Sequence, residues 1–270
     1  MSVIVITGAS DGIGAELARQ WAQRARAGEP VKLVLAARTV ERLEEVAAQC
    51  RACGAEALVQ RCDVEQRADC DALIAAALAG FGRIDVLVNN AGISAHALLG
   101  EVHDLGWYER LFRINFWGSA WVTHAALPAL KASHGRIVAI SSLAGLIGIP
   151  GRTAYSSSKF AMNGFFEALR GELASDGVSV TIAYPGVVTT QIRHRGLNAR
   201  GEPLGRSAMD ERGAMSVETC ARLILDGALA RRRDIVMTAK GRLGRWLKLL
   251  APGLVDRMAV AALKKEERPV

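Results

Sequence analysis

The sequence predicts an α/β protein built on a doubly wound, mainly parallel seven-stranded sheet with helices on both faces. Two observations carry this. Short apolar, β-branched runs alternate along the chain with longer segments rich in Ala, Leu, Glu and Arg, which is the pattern of strands joined by crossover helices. A glycine-rich turn, TGASDGIG, also stands directly after the first such run and before an Ala-rich segment, where a strand turns sharply into a helix.

In order, the expected strands are VIVIT, VKLVLAA, AEALVQRC, DVLVNN, GRIVAIS, VSVTIAY and DIVMT, with helices over Ala15 to Ala27, Val40 to Cys53 and Asp69 to Ala79. Parallel neighbours joined by such helices cross over with a right hand. No Pro-rich or Ser-rich linker interrupts the 270 residues, so one domain is expected over residues 1–240, followed by an extension over 241–270.

Composition narrows the classes of function. The net charge is +7, but residues 240–270 alone carry eight Lys or Arg against three Asp or Glu. The basicity belongs to the tail, which removes most support for a whole-protein nucleic-acid surface. Apolar runs such as Val3 to Ile6 and Val178 to Ala183 are strand-length, far short of the roughly 20 residues a membrane span needs. The chain opens on a strand with no basic and apolar leader, which predicts a cytoplasmic protein. Five cysteines, Cys50, Cys53, Cys62, Cys70 and Cys220, do not form two knuckle-like pairs. They are expected as packed thiols in a reducing compartment, with no metal.

Gly8, Gly12 and Gly14, with Ser10, Asp11 and Ile13 between them, let a pyrophosphate approach the backbone and meet the amides that open a helix. This points to a dinucleotide. At the tip of the second strand stand Ala37 and Arg38. A carboxylate there would bind both ribose hydroxyls, whereas an arginine favours a 2′-phosphate, so NADP(H) is expected over NAD(H). Asp63, followed by Val64, ends the third strand within reach of an adenine amino group, and Asn90, Ala91 and Gly92 follow the fourth beside the cleft.

These residues, with Asn115 in RINFWGS, Ser141 and Ser142, Tyr155 to Lys159 in YSSSK, and PGVVTT from Pro185, occur in one order along nearly the whole chain. In that order the sequence resembles the short-chain dehydrogenase/reductase family. The resemblance implies a Rossmann fold and an enzyme that interconverts a carbonyl and an alcohol. It implies Asn115, Ser142, Tyr155 and Lys159 as the catalytic set, and Pro185, Gly186, Val188 and Thr190, with Thr189 the second choice, at the nicotinamide. It also implies a homodimer or homotetramer. The alternative is a catalytically silent NADP(H)-binding regulator.

The chemistry agrees with the resemblance. Hydride addition to a ketone leaves an alkoxide that needs a proton donor. A phenol of ordinary pKa about 10 serves near neutrality only when its phenolate is stabilised. Lys159 lies one helical turn beyond Tyr155 and can stabilise it while holding ribose hydroxyls. Ser142, thirteen residues before Tyr155, can meet the substrate oxygen from the other side.

Residues 191–215 read as a substrate lid. Its Arg193, His194, Arg195, Arg200 and Arg206 suit either an acidic substrate or, the preferred reading, a solvated loop. In the tail, Leu243, Trp246, Leu247 and Leu250 recur at helical spacing with Arg242, Arg245 and Lys248 elsewhere. This predicts a short amphipathic helix ending before Pro252. Such a helix either covers an apolar pocket or lies on an anionic membrane. Lid and tail are similar to the microsomal hydroxysteroid-dehydrogenase-like branch, which implies a bulky apolar carbonyl substrate; peripheral membrane association remains an alternative to a purely cytoplasmic place.

Overall fold

The computed structural model describes residues 1–205 and 213–266, and side chains as far as residue 263. Seven parallel strands form one sheet in the order β3-β2-β1-β4-β5-β6-β7. They are β1 (Ser2–Thr7), β2 (Val31–Ala37), β3 (Glu56–Arg61), β4 (Val86–Asn89), β5 (Arg136–Ile140), β6 (Ser179–Tyr184) and β7 (Asp234–Val236). Helices α1 (Gly12–Arg26), α2 (Val40–Ala52) and α7 (Val217–Leu229) cover one face; α3 (Arg67–Phe81), α5 (Gly118–Ala132) and α6 (Thr153–Glu172) cover the other.

The central strands read as unbroken apolar runs because both of their faces are buried. In β1, Ile4 and Ile6 pack under α1 and α2, while Val5 between them packs against the layer of α3, α5 and α6, as a two-residue pleat requires. The strand order reverses between β1 and β4, each paired in parallel with its neighbours. Their carboxyl ends therefore splay, and a crevice opens there.

Helix α4 (Gly106–Phe112) runs into α5 through a π turn over Arg113–Trp117, so Asn115 sits in widened backbone of the kind that marks functional sites. The chain closes with α8 (Ala239–Leu250) and α9 (Pro252–Glu266). The tail helix forms where the periodicity places it, but Arg242, Arg245 and Lys248 bond to the protein while Leu243, Trp246 and Leu250 stand in solvent and Leu247 is half-buried.

Among the described residues no three His, Cys, Asp or Glu side chains gather as metal ligands, and no helix is long and apolar enough to cross a membrane. All five thiols are free, and only Cys53 is partly exposed. Burial pushes Cys50 up to about 11 and Cys220 up to about 12.

Candidate active site

The crevice floor is built where β1 meets β4. Thr7 Oγ1 donates to the Val88 carbonyl at 3.2 Å and accepts the amides of Asn90 and Ala91 at 3.0 and 3.1 Å. Asn90 Nδ2 donates to the carbonyls of Thr7 and Gly8 at 2.9 and 3.1 Å, so the two strand ends are stitched together. Gly8 has φ +66°, a left-handed conformation that glycine adopts freely. A Cβ at Gly14 would stand 2.4 Å from both the Gly8 carbonyl oxygen and Asn90 Nδ2. Only a bare backbone closes this turn. Ser10 is half-buried in the turn, Asp11 caps α1 by accepting from the Gly12 amide at 2.7 Å, and Ile13 lines the crevice. A glycine cradle at a helix N-terminus fits a dinucleotide pyrophosphate.

At the adenosine end, Arg38 is exposed just beyond β2. Arg42, one turn into α2, lies 3.9 Å from Asp11, which also pairs with Arg195 at 2.8 Å. Asp63 is half-buried, and its carboxylate accepts the Glu65 amide at 3.2 Å. Val64 is buried against Gly118, where a Cβ would come within 2.8 Å of it. Gly92 brings two predicted residues together: its missing Cβ would lie 3.1 Å from Asn115 Oδ1 and 3.7 Å from Lys159 Nζ.

Asn115 is fully buried and fully used. Its Oδ1 accepts the Ile93 amide at 2.8 Å, and its Nδ2 donates to the Ile93 carbonyl and to Ser158 Oγ, both at 3.0 Å. It thus ties the segment after β4 to α6. Lys159, 4% exposed, donates to the Ile140 carbonyl at 2.8 Å, and its Nζ lies 5.9 Å from the Tyr155 ring centroid. Burial pulls the ammonium below the usual lysine range, and the Tyr155 charge acts in the opposite sense.

The two adjacent serines divide as the strand's alternation predicts. Ser141 Oγ turns inward and donates to Asn163 Oδ1 at 2.6 Å, whereas Ser142 is half-buried on the crevice wall and its Oγ accepts the Ala144 amide at 3.2 Å. Pro185, Gly186, Val188 and Thr190 line the far side. Thr190 lies beside Gly12, where a Cβ would come within 3.4 Å of its methyl. Thr189 is exposed, with its amide on the Met215 carbonyl.

Together these residues bound a cleft of about 190 Å³ whose walls are largely aliphatic, including Ile93, Leu143, Ile149, Val187 and Ile192. Ser142, Tyr155 and Lys159 meet on it, and Asn115 stands directly behind Gly92 and Lys159. Two arginines stand in the wall: Arg193, expected on the lid, and Arg152, missed by motif reading. Arg152, buried, donates to Ser94 Oγ at 2.6 Å and holds its guanidinium 4.4 Å from the Tyr155 ring centroid, a cation–π contact. It stands at the N-cap of α6, just ahead of the first helical residue Thr153.

Arg193, also buried, donates to the Val188 carbonyl. The described part of the lid is largely exposed or half-buried, but Arg193 and Arg195 hold it to the cleft wall and the glycine turn. Arg200 is exposed and His194 is half-buried, while Arg206 lies outside the described residues.

Comparisons with known proteins agree with this geometry. The family model for short chain dehydrogenases matches residues 2–200. The 11-beta-hydroxysteroid dehydrogenase A of Sesamum indicum is 36% identical over 94% of this chain and 73% of its own length. The 11-beta-hydroxysteroid dehydrogenase-like 4A of Arabidopsis thaliana is 34% identical over 94% and 82%. Among solved structures, a short chain dehydrogenase/reductase from Burkholderia phymatum in complex with NAD superposes with a TM-score of 0.80, at 28% identity over 94% of each chain. A Sphingobium yanoikuyae short-chain dehydrogenase in complex with NADPH gives 0.76, at 27% identity over 95% and 96%.

Proposed function

The chain belongs to the short-chain dehydrogenase family, in its hydroxysteroid-dehydrogenase-like branch, and on that premise we propose that it interconverts a carbonyl and an alcohol with NADP(H), using Tyr155 as the general acid/base. As a family member it is an oxidoreductase acting on CH–OH groups with a nicotinamide dinucleotide. The observation that carries the finer reading is the meeting of Ser142, Tyr155 and Lys159 on one aliphatic cleft beside the glycine cradle.

When bound, the nicotinamide supplies or accepts the hydride. The chain's own residues do the rest. The amides at Gly12, Ile13 and Gly14, with Ser10 and Asp11 shaping the turn, hold the pyrophosphate. Arg38 receives the 2′-phosphate, and Asp63 and Val64 border the adenine. Asn90, Ala91 and Gly92 form the floor, while Pro185, Gly186, Val188 and Thr190 orient the carboxamide. The Ser142 hydroxyl donates to the substrate oxygen. As that oxygen becomes an alkoxide, the Tyr155 hydroxyl passes it a proton, leaving a phenolate. Lys159 holds a positive charge behind the ring, and Asn115, through the segment it fixes, links the lysine toward solvent for proton return.

The aliphatic walls favour a bulky apolar substrate. The outward aromatics at the start of α5 and on α6 support a homo-oligomer: Trp117, at the end of the π turn, is 47% exposed and stacks on Trp121, and Phe160 is 38% exposed. A monomeric mass in solution removes that part.

The deciding experiment is turnover of a ketone and aldehyde panel with NADPH and NADH in parallel, for the wild type, Tyr155→Phe and Arg38→Ala. The expected result is faster turnover with NADPH. Tyr155→Phe should lose about 10²- to 10⁴-fold, and Arg38→Ala should lose the preference for NADPH while keeping NADH activity. Tyr155→Phe turning over at the wild-type rate would sink the mechanism.

A further inference from the structure

Helix α8 is mounted on the protein by its glycine and basic side. A Cβ at Gly241 would stand 2.4 Å from a Leu143 methyl, and one at Gly244 would stand 2.8 Å from the Ile147 methyl. The two glycines therefore let the helix axis approach the segment that follows Ser142. Arg245 pairs with Asp234 at 3.0 Å. Lys248 donates to the Leu146 carbonyl at 2.9 Å with its Nζ 4.6 Å from the Phe160 ring centroid.

The opposite side is apolar, and among the described residues it is exposed. Leu243, Trp246, Leu249 and Leu250 are 67%, 66%, 71% and 84% exposed, and α9 extends the surface with Leu254 and Met258 at 40% and 58%. Isolated exposed apolar side chains are ordinary, but a contiguous set of large ones marks an interaction surface.

We propose that this face of α8 and α9 docks on an anionic lipid surface. Charge selects that occupant. Among the described side chains of α8 and α9, the exposed ionic ones are Lys240, Arg257 and Arg242, the last also donating to the Val236 carbonyl at 3.0 Å, against Asp256 as the one exposed carboxylate. A second copy of this chain, docked about a two-fold axis, would press the basic patch against itself. An anionic membrane complements it, with the helix lying in the interface plane and its apolar side chains among the headgroups and upper acyl chains. The α8 face that touches the cleft wall is the glycine face, so the apolar residues do not roof the cleft. Leu143 borders the cleft on one side and Gly241 on the other, which leaves the cleft wall one side chain away from the docked helix. This inference rests on the packing of α8 and is independent of the reductase mechanism.

The test is co-sedimentation of the full chain with phosphatidylcholine vesicles, with and without phosphatidylserine, for the wild type and for Trp246→Ser/Leu250→Ser. Thermal melting and reductase turnover serve as folding controls. The wild type is expected to sediment with the phosphatidylserine vesicles, less so in high salt and least with phosphatidylcholine alone. The double variant should melt and turn over as the wild type does while its vesicle partitioning falls at least about tenfold. Absence of wild-type binding to phosphatidylserine vesicles, or equal binding by the variant, overturns the proposal. So does a smaller solution mass for the double variant without vesicles, since the face would then join two copies of the chain. If the double variant does not melt as the wild type does, Lys240→Gln/Arg257→Gln replaces it, with weaker, less salt-sensitive binding expected and unchanged binding overturning the proposal.

Discussion

Helices α1 and α8 are written in the same style, each with an apolar stripe opposite arginines, and the protein uses them in opposite ways. In α1, Leu17, Ala18, Trp21 and Ala22 are buried against the sheet, while Arg24 and Arg26 close the last turn near solvent. In α8 the stripe of Leu243, Trp246 and Leu250 faces out, and Arg245 and Lys248 hold the helix to the body. Amphipathic spacing thus states which side of a helix is apolar and leaves open what covers it. For α1 the cover is the chain's own sheet with α2 and α7, whereas the α8 stripe is exposed among the described residues.

The sharpest way to break this comparison is to truncate both stripes. Leu17→Ala should cost about 2–5 kcal/mol of unfolding free energy, because it opens a cavity in a fully buried layer. Trp246→Ser should change stability by no more than about 0.5 kcal/mol. Equal losses in urea unfolding would mean that α8 is buried in the protein as it exists in solution.

The glycine turn at the start of α1 gives the next effect. Gly14→Ala places a methyl 2.4 Å from backbone that cannot yield cheaply. The expected cost is about 1–3 kcal/mol of stability, with at least a tenfold loss of cofactor affinity, or roughly 1.4 kcal/mol. Cofactor fluorescence titration measures the second, and wild-type affinity in the variant would show that the cradle lies elsewhere. Gly244→Ala, on α8, should leave cofactor affinity unchanged.

Lys159 supplies a smaller, pH-dependent difference. Its folded pKa is lowered by burial, so above that pKa the unfolded chain binds the proton more readily. Stability should therefore rise with pH from the lowered value up to the ordinary lysine pKa near 10.4, by at most about 1.4 kcal/mol per pH unit. The raised thiols of Cys50 and Cys220 act in the opposite sense as pH climbs through their unfolded pKa, equally in both proteins. Lys159→Met should remove the rising contribution, and urea midpoints at several pH values for the two proteins check it. Identical pH profiles would contradict the burial of a charged Lys159.

The smallest effect is chemical. Cys53, partly exposed, should be alkylated first near neutral pH, and the buried Cys50 and Cys220 should stay unmodified until the protein unfolds. Labelling of Cys220 before Cys53, read by mass spectrometry, would contradict the buried layer between α7 and the sheet.

The parallel sheet and the glycine turn were legible in the chain because local physics sets them, whereas the set of Asn115, Ser142, Tyr155 and Lys159 was legible through the family resemblance, with local physics fixing only their spacing. Strand alternation faces Ser142 to the cleft and Ser141 inward, helical spacing puts Lys159 one turn beyond Tyr155, and only a bare backbone at Gly14 closes the turn after β1. Contacts between segments far apart in sequence were not legible. Arg195 on Asp11 and Arg152 on Ser94 need a folded lid and a placed α6 before they exist. The orientation of α8 belongs with them: its periodicity is local, but the fit of Gly241 and Gly244 against Leu143 and Ile147 exists only once the β5 end and the tail meet, and that fit turns the apolar side outward.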